Sequence, residues 1–188
     1  TPWYHGPPLL GYLETVDPSG HGKAPDSFRL PVQWVNRPNL DFRGFAGTVA
    51  SGSVKPGDRI RVQPSGRESR VARIVTADGD LPVAVAGQSV TLTLADEIDV
   101  SRGNVISRAD SPAEVADQFE ATLVWMAEEP MLPDRAYLLK IGTETVTATI
   151  TQPKYKLNVN TLEHLAARKL DLNEIGVCNI ALDRVIAF

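Results

Sequence analysis

The three histidines and the single cysteine are the residues of this sequence with the widest chemical repertoire. His5, His21 and His164 are far apart, and none has the H-x-x-x-H or H-E-x-x-H spacing that directs two imidazoles to one metal ion. Cys178 lies in an apolar run typical of a strand, where we expect a buried and unreactive thiol. The sequence therefore predicts neither a metal site nor a cysteine nucleophile.

Clustered carboxylates and one glycine–lysine pair are the other candidates for chemistry. The carboxylate clusters are Asp78 with Asp80, Asp96 with Glu97 and Asp99, and Glu128 with Glu129. Two carboxylates can divide acid and base roles, but each cluster falls at a predicted turn or strand end, which favours solvated side chains. Gly22 and Lys23 lack the following Ser or Thr and the preceding apolar strand of a phosphate-binding loop. We predict no catalytic residue and no nucleotide site.

The densest basic group follows two neighbouring predicted strands around one hairpin: Arg61, Arg67, Arg70 and Arg73. Strand geometry can bring some of these side chains to one face, where they would meet an acidic partner or RNA. An ordinary solvated face is the competing interpretation. The formal net charge of −4 weighs against nucleic acid, because neutralising phosphates requires a surplus of Lys and Arg. The four arginines are therefore candidate residues for contact with a protein partner.

Short apolar runs separated by turn signals predict an all-β fold for most of the 188 residues. In "SVTLTL", Val90, Leu92 and Leu94 alternate with polar residues, so one face of this strand should cover a core. Pro56 and Gly57 have the chemistry of a type II turn between two strands. About six such strands close into a small barrel more easily than they leave two free edges.

A second set of strands follows a charged, proline-containing stretch near residue 109. Two helical segments interrupt the β pattern: a short N-terminal helix after Pro7 and Pro8, and an insertion in "NVNTLEHLAARKLDL", where Asn160 and Glu163 have the spacing of a capping box. Trp34 and Trp125 are expected in a core or a domain interface. No apolar stretch approaches the roughly 20 residues needed to cross a bilayer, and the lone cysteine suits a reducing, cytoplasmic location.

These signals predict two small antiparallel β-barrels with a short N-terminal helix and a short helical insertion in the second barrel. We divide the chain into an N-terminal helix and linker at 1–24, a first barrel at 25–108 and a second barrel at 109–188. The sequence begins at Thr1 without an initiator Met, which suggests a fragment.

Four stretches resemble the second domain of translation-factor-type GTPases in order and spacing: "FRLPVQWV", "RGFAGTVASGSVKPGDRIRV", "AGQSVTLTL" and "DVSRGNVIS". The residues from "ADQFEATLVWM" onward resemble the third domain of those proteins. Within the superfamily, "QWVNRPNLDFRGFAGT", "EEPMLPDRAYLLKIGT" and "KYKLNVNTLEHLAARKLDLNEIGVCNIAL" are most similar to the large GTPase subunit of bacterial sulfate adenylyltransferase. This resemblance extends over nearly the whole chain.

The resemblance implies a non-catalytic region of that subunit. The parent family couples GTP hydrolysis to the synthesis of adenosine 5′-phosphosulfate from ATP and sulfate, and some bacteria fuse the subunit to an adenylylsulfate kinase. GTP and Mg²⁺ would bind a G domain that precedes Thr1, and adenylyl transfer would belong to a separate small subunit. The second barrel would continue beyond Phe188. Expected partners are the small subunit and the G domain, with no nucleic acid and no membrane; the alternative is the tRNA- or ribosome-binding barrels of a translation factor.

Overall fold

One short helix precedes two antiparallel sheets in the residues that the structure describes, 5–15 and 27–188 of this computed structural model. The helix α1 spans Leu9–Thr15, and the Pro8 carbonyl accepts its first hydrogen bond from the Tyr12 N–H at 3.0 Å. Proline suits this position because its fixed φ matches the first helical turn. The prediction of a short N-terminal helix is confirmed.

The linker predicted to follow α1 falls in residues 16–26, outside the described part of the chain, and so do His21, Gly22 and Lys23. Within the described ranges, no helix has the length and apolar character needed to span a membrane.

The first half of the chain forms a sheet in the order β1-β10-β5-β6-β9-β3-β2, with β7 added beside β6 and a separate β4-β8 pair. The strands are β1 (Arg29–Pro31), β2 (Trp34–Asn36), β3 (Gly44–Thr48), β4 (Ser53–Val54), β5 (Arg59–Gln63), β6 (Arg67–Thr76), β7 (Gly79–Asp80), β8 (Ala84–Val85), β9 (Ser89–Leu94) and β10 (Val105–Arg108).

The two end strands of this sheet, β1 and β2, follow each other in the chain. β1 pairs with β10 and β2 pairs with β3, and the strand partner changes between them. There the Val32 N–H donates to the Asn104 carbonyl and the Gln33 N–H donates to the Ala46 carbonyl, each at 2.8 Å. Pro31, which has no N–H to donate to a neighbouring strand, ends β1 at this change of partner. No ladder joins β1 to β2 in the described residues, so the path of strands is open and its ends are linked by the chain itself.

The interior of the first sheet follows the predicted alternation. Val90 and Leu92 are buried, and Leu94 packs against the same core. Burying a side chain of this size contributes about 1.5–3 kcal/mol. The largest fully buried members of this core are Phe28, Leu30, Ile60, Ile74, Leu92 and Ile106. At the predicted turn, Gly57 has a φ of +92°, which favours glycine, and the Asp58 N–H donates to the Lys55 carbonyl at 3.1 Å.

The second half forms a sheet in the order β12-β13-β16-β14-β15, with β11 along the other side of β16. The strands are β11 (Val115–Val124), β12 (Ala136–Ile141), β13 (Glu144–Ile150), β14 (Tyr155–Leu157), β15 (His164–Leu165) and β16 (Ile175–Ala187). The buried residues of its core are Met131, Ala148, Ile150, Leu170, Cys178 and Ile180. The all-β prediction is therefore confirmed, but both strand paths are open in the described residues, so the predicted closure into barrels is not seen there.

The predicted helical insertion near Asn160 is wrong. Residues 159–161 form a turn, and the segment continues into β15. The capping oxygen belongs to Asn158, whose Oδ1 accepts from the N–H groups of Asn160 at 2.9 Å and Thr161 at 3.3 Å. The Leu162 N–H closes one turn onto the Asn158 carbonyl at 2.7 Å, but Leu162 has a φ of +62°, which ends any helix there.

Gly47 in β3 provides a test of the packing between β1 and β3. A Cβ atom at Gly47 would lie 2.4 Å from the Pro31 carbonyl oxygen and 3.0 Å from Leu30 Cδ2. The Pro31 carbonyl belongs to the backbone and cannot move aside as a flexible side chain can. Gly47→Ala should therefore lower the free energy of unfolding, measured by urea titration, by about 1–3 kcal/mol. Gly11→Ala, in the exposed helix α1, is the control and should be neutral or stabilising. Equal stability of the two variants would contradict the packing described here.

Candidate partner-binding surface

The hairpin of β5 and β6 places arginines and a glutamate on one surface. Arg61 lies opposite Glu68 and Arg59 opposite Arg70 in the antiparallel register. Glu68 accepts hydrogen bonds from Arg61 Nε at 3.1 Å, from Arg61 Nη2 at 2.5 Å and from Arg59 Nη2 at 2.7 Å. These bonds, first from Arg61 and then from Arg59, lower the pKa of the Glu68 carboxyl below its ordinary value.

The four predicted contact arginines do not share one site. Arg61 and Arg70 line the same hollow of about 460 Å³, and Arg70 Nη1 donates to the Gly57 carbonyl at 2.9 Å. Arg67, at the end of the hairpin, has no side-chain partner in the described part of the chain. Arg73 follows an irregularity in the β6–β9 register, lines a different hollow and binds Asp80 through Nε at 2.6 Å and Nη2 at 2.9 Å.

Sequence reasoning missed two arginines of the first hollow, Arg59 and Arg108. Arg59 was recognisable, because it alternates with Arg61 in β5 and therefore shares its face. Arg108 comes from the end of β10, a strand distant in sequence that pairs with β5, so only the sheet order reveals it. Below, "the arginine hollow" means Arg59, Arg61, Arg70 and Arg108 with their carboxylate neighbours.

The arginine hollow is close to electrically neutral. Its four guanidinium groups face three carboxylates, those of Asp58, Glu68 and Asp110. Arg108 forms a two-point contact with Asp110 at 3.0 and 3.1 Å, which lowers the pKa of that carboxyl and raises the pKa of Arg108. A ligand with many phosphates needs unpaired positive charge, so this surface suits a protein partner that exchanges ion pairs better than it suits nucleic acid.

Three of the remaining candidates for chemistry contact neighbouring groups in or between strands. The His164 ring stacks on Tyr155 with the ring centroids 3.8 Å apart. Asp96 accepts a hydrogen bond from the Ser69 hydroxyl at 2.8 Å. Cys178 is buried in β16, as expected, and burial raises the pKa of its thiol. In residues 5–15 and 27–188, no three His, Cys, Asp or Glu side chains are grouped to hold a metal ion.

Of the two tryptophans expected in a core or domain interface, Trp125 is partly buried and Trp34 is exposed. Trp125 packs against the second core and donates from Nε1 to the Glu129 carbonyl at 2.7 Å, in agreement with the prediction. Trp34 is 66% exposed, so the expectation of a buried or interface position for it within this chain is wrong. Its strand β2 lies at an end of the sheet, and the next residue, Val35, is the one that packs against the core.

The segment between the two sheets is held by side chains of the first sheet. Arg29 donates from Nη1 to the Ser111 carbonyl at 2.7 Å and from Nη2 to the Pro112 carbonyl at 3.0 Å. Gln63 Nε2 donates to the Ala113 carbonyl at 3.3 Å, and the Ala113 N–H donates to Ser107 Oγ at 3.1 Å. Residues 109–114 are called the connector below. The carbonyls of Ser111, Pro112 and Ala113 therefore all accept hydrogen bonds from side chains of the first sheet.

Two further contacts join the sheets directly. Val105, Ala113 and Ala187 form a small buried cluster with one member from each sheet and one from the connector. The turn at Gly103, where φ is +96°, lies against the Glu144 side chain so closely that a Cβ atom would overlap its carboxylate. Arg184 binds that carboxylate from the other side, through Nη2 at 2.5 Å. Together with the connector, these contacts join the two sheets.

Comparison with known proteins agrees with this architecture. Residues 46–107 match the family described as elongation factor Tu domain 2, and residues 118–188 match the family described as GTP-eEF1A C-terminal domain-like. Sup35 complexed with GDP has the same fold, with a TM-score of 0.79 at 20% identity over 100% of this chain and 46% of that chain.

Two relatives are much closer in sequence. The bifunctional enzyme NodQ of Rhizobium sp. (strain N33) is 53% identical over 99% of this chain. Sulfate adenylyltransferase subunit 1 of Aliivibrio fischeri (strain MJ11) is 50% identical over 98% of this chain. The chain is a homologue of both. It spans 29% of the length of the NodQ protein and 38% of the length of the Aliivibrio subunit.

Arg29 tests whether the connector is held as described. Arg29→Ala removes the donors to two connector carbonyls, and hydrogen bonds to a charged group are worth about 1.5–3 kcal/mol. We expect the free energy of unfolding to fall by that amount and proteases to cleave the connector faster. Arg67→Ala, an exposed arginine without a side-chain partner in the described residues, is the control and should change neither property. A connector equally resistant in both variants would refute the anchoring role.

The Glu68 carboxyl tests the electrostatics of the arginine hollow. NMR titration should give it a pKa below the ordinary value for glutamate, and Arg61→Gln should raise that pKa. Because the folded-state pKa is depressed, any stabilisation from this contact is present above the unfolded-state pKa and is lost as the pH falls through the folded-state pKa. An unshifted pKa in the parent chain would show that the arginines do not hold Glu68 in solution.

Proposed function

We propose that this chain is the non-catalytic β-barrel region of a GTPase subunit of sulfate adenylyltransferase. In this role it supports a G domain and contacts the catalytic small subunit during GTP-coupled synthesis of adenosine 5′-phosphosulfate from ATP and sulfate. The observation that carries the proposal is 50% identity to sulfate adenylyltransferase subunit 1 over 98% of the chain. GTP and Mg²⁺ would bind the G domain rather than these residues, and the location would be cytoplasmic.

The proposed division of labour follows the organisation predicted from the sequence. In this proposal residues 1–24 connect to the G domain, and the predicted barrel regions 25–108 and 109–188 correspond to the two open sheets of the structure. A G domain changes conformation with its bound nucleotide. This change reaches a partner only if the region between them is rigid. The fixed connector and the Gly103–Glu144 contact support such a role, because they oppose independent movement of the two sheets.

We further propose that the small subunit contacts the chain through the predicted arginines Arg61, Arg67, Arg70 and Arg73. Arg61 and Arg70 would act together in the arginine hollow, where acidic side chains of the partner replace the internal carboxylates. Arg67 extends from the adjacent hairpin end and can accept a carboxylate without breaking an existing pair. Arg73, occupied by Asp80 on a separate hollow, would contribute least.

Binding to the catalytic small subunit of a heterodimeric sulfate adenylyltransferase tests this proposal. Calorimetric titration should detect a complex with the 188-residue chain. Replacing Arg61, Arg67 or Arg70 by Ala should weaken it by roughly five- to thirtyfold, corresponding to about 1–2 kcal/mol. Arg37→Ala, an exposed arginine outside the hairpin, is the matched control and should bind as the parent does.

Three results would each contradict a different part of this proposal. Turnover of ATP with sulfate, or of GTP, by the isolated chain would contradict the non-catalytic role. Tight binding to tRNA that falls steeply with salt, without binding to the small subunit, would favour the translation-factor alternative. Binding to the small subunit that is insensitive to all four arginines would retain the function but reject the proposed surface.

A further inference from the structure

The first sheet carries another hollow, of about 260 Å³, in which carboxylates outnumber guanidinium groups. It lies where β3, β9 and β6 run side by side, and the segment before β3 forms one of its walls. Its lining residues fall between positions 40 and 97, so the first sheet alone forms it. Below, "the acidic hollow" means this hollow, and the lining residues that matter most are Leu40, Asp41, Phe42, Thr93, Asp96 and Glu97.

The two guanidinium groups that line the acidic hollow have carboxylate partners outside its lining. Arg73 binds Asp80 at 2.6 and 2.9 Å, and Arg43 lies 3.7 Å from Asp99. The three carboxylates of the lining form no ion pair with Lys or Arg in the part of the chain that the structure describes. With the two outer partners included, five carboxylates face two guanidinium groups. The hollow therefore attracts a cation.

The carboxylates of the acidic hollow are not arranged for a metal ion. Divalent ions need several oxygen ligands within roughly 2.0–2.6 Å, and no three such side chains are grouped for this purpose in residues 5–15 and 27–188. A guanidinium group is a larger cation, with five N–H donors spread around a plane. It can therefore bind carboxylates that are too far apart to share one metal ion.

The apolar part of the acidic hollow also suits a guanidinium group. A Cβ atom at Gly44 would lie 2.8 Å from Phe42 Cε1, so the Phe42 ring covers the backbone of β3 at this point. Arg43 shows the same preference nearby, since its Cζ lies 5.5 Å from the centroid of the Phe45 ring. Leu40, which is 87% exposed, can contact the aliphatic stem of an incoming side chain. Guanidinium groups stack on aromatic rings more readily than strongly hydrated ammonium groups do, which favours arginine over lysine.

Thr93 adds an acceptor that has no partner within the described chain. It lies opposite Gly44 in the β3–β9 ladder and opposite Arg73 in the β6–β9 ladder. Its Oγ1 atom is buried and makes no hydrogen bond to the described residues. A buried hydroxyl without a partner is destabilising. An N–H donor from outside the chain would satisfy this oxygen, whereas a carboxylate would meet the excess of negative charge.

We propose that the acidic hollow binds an arginine side chain of a partner protein. The guanidinium group stacks on Phe42, donates to Thr93 Oγ1 and pairs with the carboxylates of Asp41 and Glu97. Small-molecule sites usually enclose roughly 300–1,000 Å³, so a hollow of about 260 Å³ suits one long side chain. Free arginine fits less well, because its α-carboxylate would face the excess of negative charge.

NMR titration of the ¹⁵N-labelled 188-residue chain tests this proposal. The probe is N-acetyl-arginine N-methylamide, whose blocked ends imitate an arginine within a polypeptide. It should shift the amide signals of Phe42, Thr93 and Leu94 in a saturable way. We expect a dissociation constant of roughly millimolar order, because one side chain makes few contacts. N-acetyl-citrulline N-methylamide has a similar shape without the charge and should cause no saturable shift.

A pair of double variants tests the role of the carboxylates. Asp41→Asn combined with Glu97→Gln removes two negative charges from the acidic hollow and should weaken binding of the arginine probe by roughly five- to tenfold. Glu128→Gln combined with Glu129→Gln is the matched control, because it removes two exposed carboxylates of the second half. It changes the net charge equally and should leave the affinity unchanged.

Thr93→Val tests the hydroxyl, because it exchanges the oxygen for a methyl group of similar size. The free chain loses an unpaired buried polar group, so its urea midpoint should stay the same or rise. Its affinity for the arginine probe should fall by roughly threefold or more, because one hydrogen bond to a charged donor is lost. These different directions separate a binding role from a purely structural one.

Five results would each overturn the proposal. They are the absence of a saturable shift, equal binding of the citrulline probe, equal weakening by the two double variants, an unchanged affinity of Thr93→Val, and tighter binding of free L-arginine than of the blocked probe. The last result would assign the acidic hollow to a metabolite instead of a protein side chain. None of these measurements involves the small subunit, so their outcome is independent of the proposed function.

Discussion

The guanidinium group of Arg29 joins the first sheet to the start of the second. Arg29 lies in β1, at one end of the first sheet, and its two terminal nitrogens hold the carbonyls of Ser111 and Pro112. Without such donors the connector would leave polar backbone groups unsatisfied where the sheets meet, at a cost of about 1–3 kcal/mol for each buried group. The positions of β11 and of the second core therefore depend on a side chain located more than eighty residues earlier.

This arrangement suits the proposed role of the chain as a support for a G domain. In that proposal the chain transmits the state of a nucleotide bound to the G domain, and transmission requires stiffness. The buried cluster of Val105, Ala113 and Ala187 and the Glu144 contacts provide stiffness with few residues, because each group touches both sheets or the connector. The guanidinium groups of the predicted contact residues Arg61, Arg67, Arg70 and Arg73 take no part in this junction, whereas Arg108 and Arg184 do.

The sequence was sufficient where a structure depends on local chemistry, and insufficient where it depends on distant strands. Alternation predicted the buried face of β9, and Pro56 with Gly57 predicted a tight turn, because both follow from neighbouring residues.

The helix near Asn160 was mispredicted because Asn158, two residues earlier, supplies the cap and Leu162 adopts a positive φ, neither of which the spacing of Asn160 and Glu163 reveals. Trp34 was mispredicted because its exposure depends on the position of β2 at the end of the sheet. Arg108 and the role of Arg29 were missed because each depends on a pairing across the fold.

The claim that the two sheets form one rigid body is tested most directly by ¹⁵N relaxation in solution. If the connector and the Gly103–Glu144 contact hold the sheets together, the amides of β1–β10 and those of β11–β16 will fit a single rotational diffusion tensor. Separate tensors for the two sets of amides, with faster tumbling of each, would show two bodies on a flexible link and would contradict the account.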